Sequence, residues 1–247
     1  MVAHLHGVQG VGGSNPLAPT IFWSILVSKI KFEETKSTFL ASLDHSHTDP
    51  EPYKHWLMND VFPESVLNEI LNLPFSAPRL DYSVGARAEH NDKRGYFDQQ
   101  RIGSYPVCDV VARTLQDSEV IKAIESKCNV NLKGTNLRIE FAQDTDGFWL
   151  APHTDIGVKK FTMLIYLSKD SDSKNWGTSV YTGNKPEDFV FNSPYISNGA
   201  FIFVPNDKTW HGYEKREMHG IRKSLIVNYV TAEWKARHEL AFPDSPV

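Results

Sequence analysis

The chain has 247 residues, 40% of them hydrophobic and 23% charged, with a formal net charge of -4. That apolar content supports one sizeable core, so a single domain with decorations is expected, and the acidic balance argues against a general electrostatic grip on nucleic acid. Two cysteines, Cys108 and Cys128, are too few for a disulfide scaffold; they fit a reducing cytoplasm and read as core thiols. No apolar run approaches the length of a membrane span.

In chain order, residues 1–20 form a Gly/Pro/Asn-rich tail without period. Within it Gly12–Pro16 reads GGSNP, which the common T-arm of a transfer-RNA gene would encode if translated. The true start is therefore expected further downstream. The apolar run Thr20–Val27 is short and no Lys or Arg precedes it, which argues against a signal peptide. Residues 1–58 as a whole, with the Pro-rich DHSHTDPEP at their end, are expected to be a poorly structured extension. Helical spacing begins after Asp60 with Val61, Phe62, Val66, Leu67, Ile70 and Leu71, and Pro63 suits a first turn. A second helical region runs over about 106–127, with Val107, Val110, Val111, Leu115, Val120, Ile121 and Ile124 as its stripe. Arg79–Arg101 is charged and aromatic and takes no assignment.

Beyond Gly134 the character changes to short β-branched and aromatic runs between Gly, Pro, Asn and Asp turns: NLRIEFAQ, FWLAPHT, FTMLIYLS, TSVYT, DFVFN, GAFIFVP and KSLIVNYV. Strands without helical interludes argue for an antiparallel sandwich or barrel. The expected fold is mainly β with N-terminal helices: a jelly-roll core at about 134–232 carrying a helical layer at about 59–130.

His-x-Asp occurs three times, as His47-Thr48-Asp49, His90-Asn91-Asp92 and His153-Thr154-Asp155. The first lies in the Pro-rich linker and the second in a charged stretch. The third ends a strand, where alternate residues share a face, so both side chains can reach one metal. His211 follows another strand and a turn. Two imidazoles and one carboxylate suit a divalent iron bound on one face, with the opposite positions open. Arg222, eleven residues after His211, and Ser224 two further on present two donors on one strand face, suited to a carboxylate. Tyr166 closes a strand expected to neighbour the ligand strand, and its hydroxyl suits the same carboxylate. The plainer alternatives are a surface histidine, a turn histidine, a salt-bridged strand arginine and a core tyrosine.

In these motifs, residues 137–231 resemble the Fe(II)- and 2-oxoglutarate-dependent dioxygenases, in the prolyl-hydroxylase-like branch of the double-stranded β-helix superfamily. Ile165-Tyr166-Leu167-Ser168 and Trp176-Gly177-Thr178 add to the likeness. The resemblance implies one oxygenase domain over 59–247, Fe(II) on His153, Asp155 and His211, and 2-oxoglutarate on that iron with its far carboxylate on Arg222, Ser224 and Tyr166. Dioxygen is then a second cosubstrate, succinate and CO2 are co-products, and hydroxylation is the default outcome. The carboxylate of Asp155 disfavours the halide-binding variant. Asn228 and Tyr229 stand where the nucleic-acid demethylase branch carries a second arginine, which makes nucleic acid an unlikely substrate. Gln143 is a loose match to a cosubstrate-contacting position.

The substrate implied is a small metabolite or glycan component, or alternatively a protein side chain. A cupin-like metal- or sugar-binding protein without oxygenase activity is the alternative of another class. The stretch Glu89–Arg101, with Arg94, Tyr96, Phe97 and Arg101, is a candidate lid, and Asn184–Asn192 has equal claim to contact the substrate.

Overall fold

The computed structural model describes residues 19–77 and 94–247, with side chains from residue 28 onward. Helix α1 (Pro19–Asp44) leads into strands β1 (His47–Asp49) and β2 (His55–Met58), then α2 (Glu64–Leu71). β3 (Gly95–Tyr96) and α3 (Gln99–Ser104) precede α4 (Pro106–Gln116) and α5 (Ser118–Cys128). The remaining strands are β4 (Asn136–Asp144), β5 (Leu150–His153), β6 (Lys159–Tyr166), β7 (Ser179–Tyr181), β8 (Phe189–Asn192), β9 (Ala200–Phe203), β10 (His211–Tyr213) and β11 (Arg222–Val230). They form an antiparallel seven-stranded sheet, β1-β2-β9-β6-β11-β4-β3, facing a four-stranded one, β5-β10-β7-β8. Among the described residues no helix is long and apolar enough to cross a membrane.

The period of two along the long strands explains the layering. Leu137, Ile139 and Phe141 on β4, Phe161, Met163 and Ile165 on β6, and Leu225, Val227 and Tyr229 on β11 point to one side and share a core with the helices. The apolar stripes of α4 and α5 fill the other half of that core, as their spacing predicts. The two helices are separate because Asp117 is extended (φ -63°, ψ 136°) and its side chain accepts from the Glu119 amide, capping α5.

The opposite face of the large sheet looks toward the small sheet, and its residues stand in rows across β4, β11 and β6. Arg138, Asn228 and Thr162 make the first row; Glu140, Ile226 and Leu164 the second; Ala142, Ser224 and Tyr166 the third; Asp144 and Arg222 the fourth. Successive rows are about 6.7 Å apart.

One expectation changes here. The stretch taken for a poorly structured extension holds α1, β1 and β2 over residues 19–58: Phe39 and Leu43 join the helical core, and β2 pairs with β9. Its apolar residues lacked an obvious period because they pack against both helices and strands. The Gly/Pro tail at residues 1–18 and the triplet His90-Asn91-Asp92 lie outside the described residues.

Candidate metal centre

β5 and β10 pair so that His153 and His211 stand directly opposite one another, with ring centroids 4.3 Å apart. This pairing needs Gly212, where a Cβ would lie 2.6 Å from the Leu150 carbonyl oxygen. Each Nδ1 meets a backbone carbonyl two residues back, that of Ala151 or Thr209, at 2.9 Å. A carbonyl only accepts, so Nδ1 carries the proton in both rings and Nε2 presents a lone pair.

Asp155 lies beyond the end of β5, so it joins the histidines from a loop and not from the alternation of a strand. Lys159 donates to its Oδ1 at 2.5 Å and Thr162 to its Oδ2 at 2.6 Å. Thr162 sits in the first row of the facing sheet, so the carboxylate bridges the two layers. One ligand atom from each of His153, Asp155 and His211 lies within 4.8 Å of the other two.

Electrostatics suit a cation at this point. Burial pushes the Asp155 carboxyl upward, but Lys159, His211 and the two hydrogen bonds outweigh it and hold the group at about 2. Burial and the neighbouring His153 push His211 down to about 4, against the opposing pull of Asp155. At neutral pH the centre therefore offers an uncharged His211 imidazole and an ionised carboxylate, the protonation states that metal ligation requires. The donor set fits Fe(II).

A cavity of about 470 Å³ between the sheets joins this triad to Arg222. Arg222 is 2% exposed and donates from Nε to the Trp176 carbonyl (2.7 Å), from one Nη to Asp144 (2.7 Å) and from the other to Thr178 Oγ1 (3.4 Å). Two of the five guanidinium N–H remain without a partner among the described residues. Tyr213 and Tyr166 lie over its plane, with centroids at 4.8 and 5.8 Å. Gly177 is required beside it, since a Cβ there would lie 1.7 Å from the Ser193 carbonyl oxygen.

Ser224 is opposite Tyr166 in the third row, and its Oγ is buried without a partner among the described residues. β6 pairs with β11 and β9 and not with β5, so Tyr166 neighbours the arginine strand and not the ligand strand. Its hydroxyl bonds Ser193 (2.6 Å) and Thr178 (2.9 Å), which places it behind Arg222 as a support. Gln143 turns to the helical side and donates to the Phe75 carbonyl, away from the cavity. His47-Thr48-Asp49 is edge strand β1, its histidine and threonine exposed. Cys108 and Cys128 are buried in α4 and α5, and burial pushes both thiols up to about 12. Asp144, Thr178, Thr162 and Lys159 were missed as site residues.

No family model matches the chain, nor does any curated protein sequence. Solved structures do match it. A prolyl hydroxylase from Trichoplax adhaerens, in complex with a hypoxia-inducible-factor peptide fragment, aligns over 84% of this chain and 92% of its own at 18% identity, with a TM-score of 0.52. A Pseudomonas putida prolyl-4-hydroxylase aligns over 79% and 98% at 13% identity, TM-score 0.52. A 2OG-Fe(II) oxygenase family protein from Burkholderia pseudomallei aligns over 79% and 90% at 15% identity, TM-score 0.50. The fold is that of the prolyl-hydroxylase-like 2-oxoglutarate/Fe(II) oxygenases. In this oxygenase fold the alignments extend well beyond the jelly roll, because the helical layer belongs to the shared architecture.

Proposed function

We propose that the chain is an Fe(II)- and 2-oxoglutarate-dependent oxygenase that hydroxylates a small molecule. The observation that carries this reading is the convergence of His153, Asp155 and His211 at one end of a cavity whose other end is Arg222. His153, Asp155 and His211 would hold Fe(II). Arg222 would receive the far carboxylate of 2-oxoglutarate on its uncommitted N–H groups, with Thr178 and Ser224 beside it and Tyr166 supporting from behind. Bound there, the metal and cosubstrate supply the oxidising chemistry, turning 2-oxoglutarate and dioxygen into succinate and CO2. The protein's part is to fix the ligand tautomers, to orient Asp155 through Lys159 and Thr162, and to shield the centre between two sheets.

The enclosed volume supports a small metabolite or glycan component. A protein side chain is the second reading, favoured by an open groove of about 960 Å³ that reaches Thr154 and Asp155 from outside the sandwich. Succinate release from 2-oxoglutarate with added Fe(II) tests the proposal. Loss of iron binding in His153→Ala and Asp155→Ala, but not His47→Ala, is the expected outcome. Succinate release that survives Arg222→Ala unchanged would remove the cosubstrate assignment.

A further inference from the structure

Beyond the triad and Arg222, the cavity has a built wall on the β3–β4 side. The side-on edge of Arg94 is committed, with Nε and Nη2 donating to the two oxygens of Glu140 at 3.1 and 2.6 Å. Arg138 donates to Glu140 (2.8 Å), to Glu239 (2.6 Å) and to Asn228 Oδ1 (3.1 Å), and packs over the rings of Tyr96 and Trp234. The two arginines thus engage both carboxylates of this wall, and what it still offers the cavity is donors. The end-on edge of Arg94, Nη1 with the second Nη2 hydrogen, has no partner among the described residues. The indole N–H of Trp234 is buried without an acceptor among the described residues. Both side chains line the same cavity as the metal ligands.

Two parallel N–H groups on a guanidinium edge match the two oxygens of an oxyanion, whereas a neutral carbonyl fills only one of them. Leu164 and Ile226 line the floor beside this wall and offer nothing polar. We propose that Arg94 and Trp234 bind an oxyanion of the molecule being oxidised. The substrate is then a small carboxylic acid or phosphate ester with an apolar segment beside its charged end. Arg138, which packs against Trp234, stands in one row with Thr162 and has β11 between them, so this wall begins about 10 Å, two strand spacings, from the residue holding Asp155. That the bound molecule is a substrate rests on the oxygenase reading; that the wall takes an oxyanion does not.

The test titrates the full-length protein with pentanoate, pentyl phosphate, pentanamide and pentylamine, read by tryptophan fluorescence and thermal shift. Expected is binding of at least one anion about tenfold or more tighter than the amide or the amine, the size of a charged hydrogen-bond pair. Arg94→Met abolishes that preference, Trp234→Phe weakens it by a smaller factor, and Arg94→Lys restores it in part because charge returns without the fork. Phosphate against carboxylate decides which oxyanion is meant. Equal binding of amide or amine, binding by neither anion, or a preference that survives Arg94→Met overturns the proposal. The titration needs neither iron nor turnover. A protein that shows the preference but never releases succinate sinks the oxygenase reading and keeps the oxyanion site.

Discussion

Replacing Asp144 by Asn separates the charge of the fourth row from its shape. Asp144 and Arg222 have side chains 1% and 2% exposed and meet at 2.7 Å. The Asn carbonyl still accepts from Arg222, but the buried guanidinium loses its countercharge. Breaking a buried pair costs 3–5 kcal/mol, and the retained hydrogen bond places this case at about 3 kcal/mol. For a chain of this size that lowers the melting temperature by about 6–12 °C. If the far carboxylate of 2-oxoglutarate sits against Arg222, it returns the missing charge, and the cosubstrate must stabilise Asp144→Asn more than it stabilises the wild type. Calorimetry under nitrogen with Fe(II) reads this directly, with 2-oxobutanoate as control because it keeps the keto acid and lacks the second carboxylate. Equal stabilisation of both proteins by 2-oxoglutarate, or an equal effect of 2-oxobutanoate, would refute the placement of the cosubstrate at Arg222.

Three further outcomes are expected. Thr162→Val keeps the shape of the first row but removes the donor to Asp155 and the acceptor for Asn228, so Fe(II) affinity falls about 10–100-fold in a metal titration. Gly177→Ala drives a methyl into the Ser193 carbonyl, costing about 1–3 kcal/mol in urea unfolding and displacing the Trp176 and Thr178 partners of Arg222, so the KM for 2-oxoglutarate rises. In metal-free protein His211 stays neutral down to about 4 while its unfolded value is near 6.5. Between those values the unfolded state binds the extra proton. Stability is therefore full above pH 6.5 and falls as pH drops toward 4, by about 3 kcal/mol in total. Asp155, held at about 2, adds a loss only below its ordinary carboxylate range. Urea midpoints that stay flat from pH 7 to 4.5, or that fall equally in His211→Gln, contradict this.

The sequence made the strands and the triad legible because both depend on local signals. β-branched and aromatic runs between turn residues identified β4, β6 and β11, and the order His153, Asp155, His211, Arg222 is a chain-order motif. What it hid was the pairing across strands. Nothing in the local run places Asp144 opposite Arg222, yet a sign was present: Arg138, Glu140 and Asp144 occupy the even positions of a strand whose odd positions are Leu137, Ile139 and Phe141. Three ionisable residues in one phase of a fully buried strand mark a buried polar face, since a charge is tolerated there only when paired. The N-terminal elements were hidden for another reason. α1 and the short strands β1 and β2 are held by tertiary partners, and the Pro-rich spacing around them reads locally as linker.

The four rows also explain why the site lies between the sheets and how its ends communicate. The first and fourth rows are polar throughout, while the second and third mix Glu140, Ser224 and Tyr166 with Leu164, Ile226 and Ala142. Within the first row the hydrogen bonds run in one sense: Arg138 donates to Asn228, Asn228 donates to Thr162 (3.0 Å), and Thr162 donates to Asp155. Each side chain is 3% exposed or less, so none finds a substitute partner in bulk water. The Asn228 amide nitrogen only donates and the ionised Asp155 only accepts, so the single hydroxyl proton of Thr162 is directed to Asp155. The orientation of the metal-ligand carboxylate is thereby tied to Arg138, about 10 Å away at the wall inferred to receive the substrate. Every bond of the row is made between protein groups, so a change at Arg138 is expected to reach Asp155 through Asn228 and Thr162.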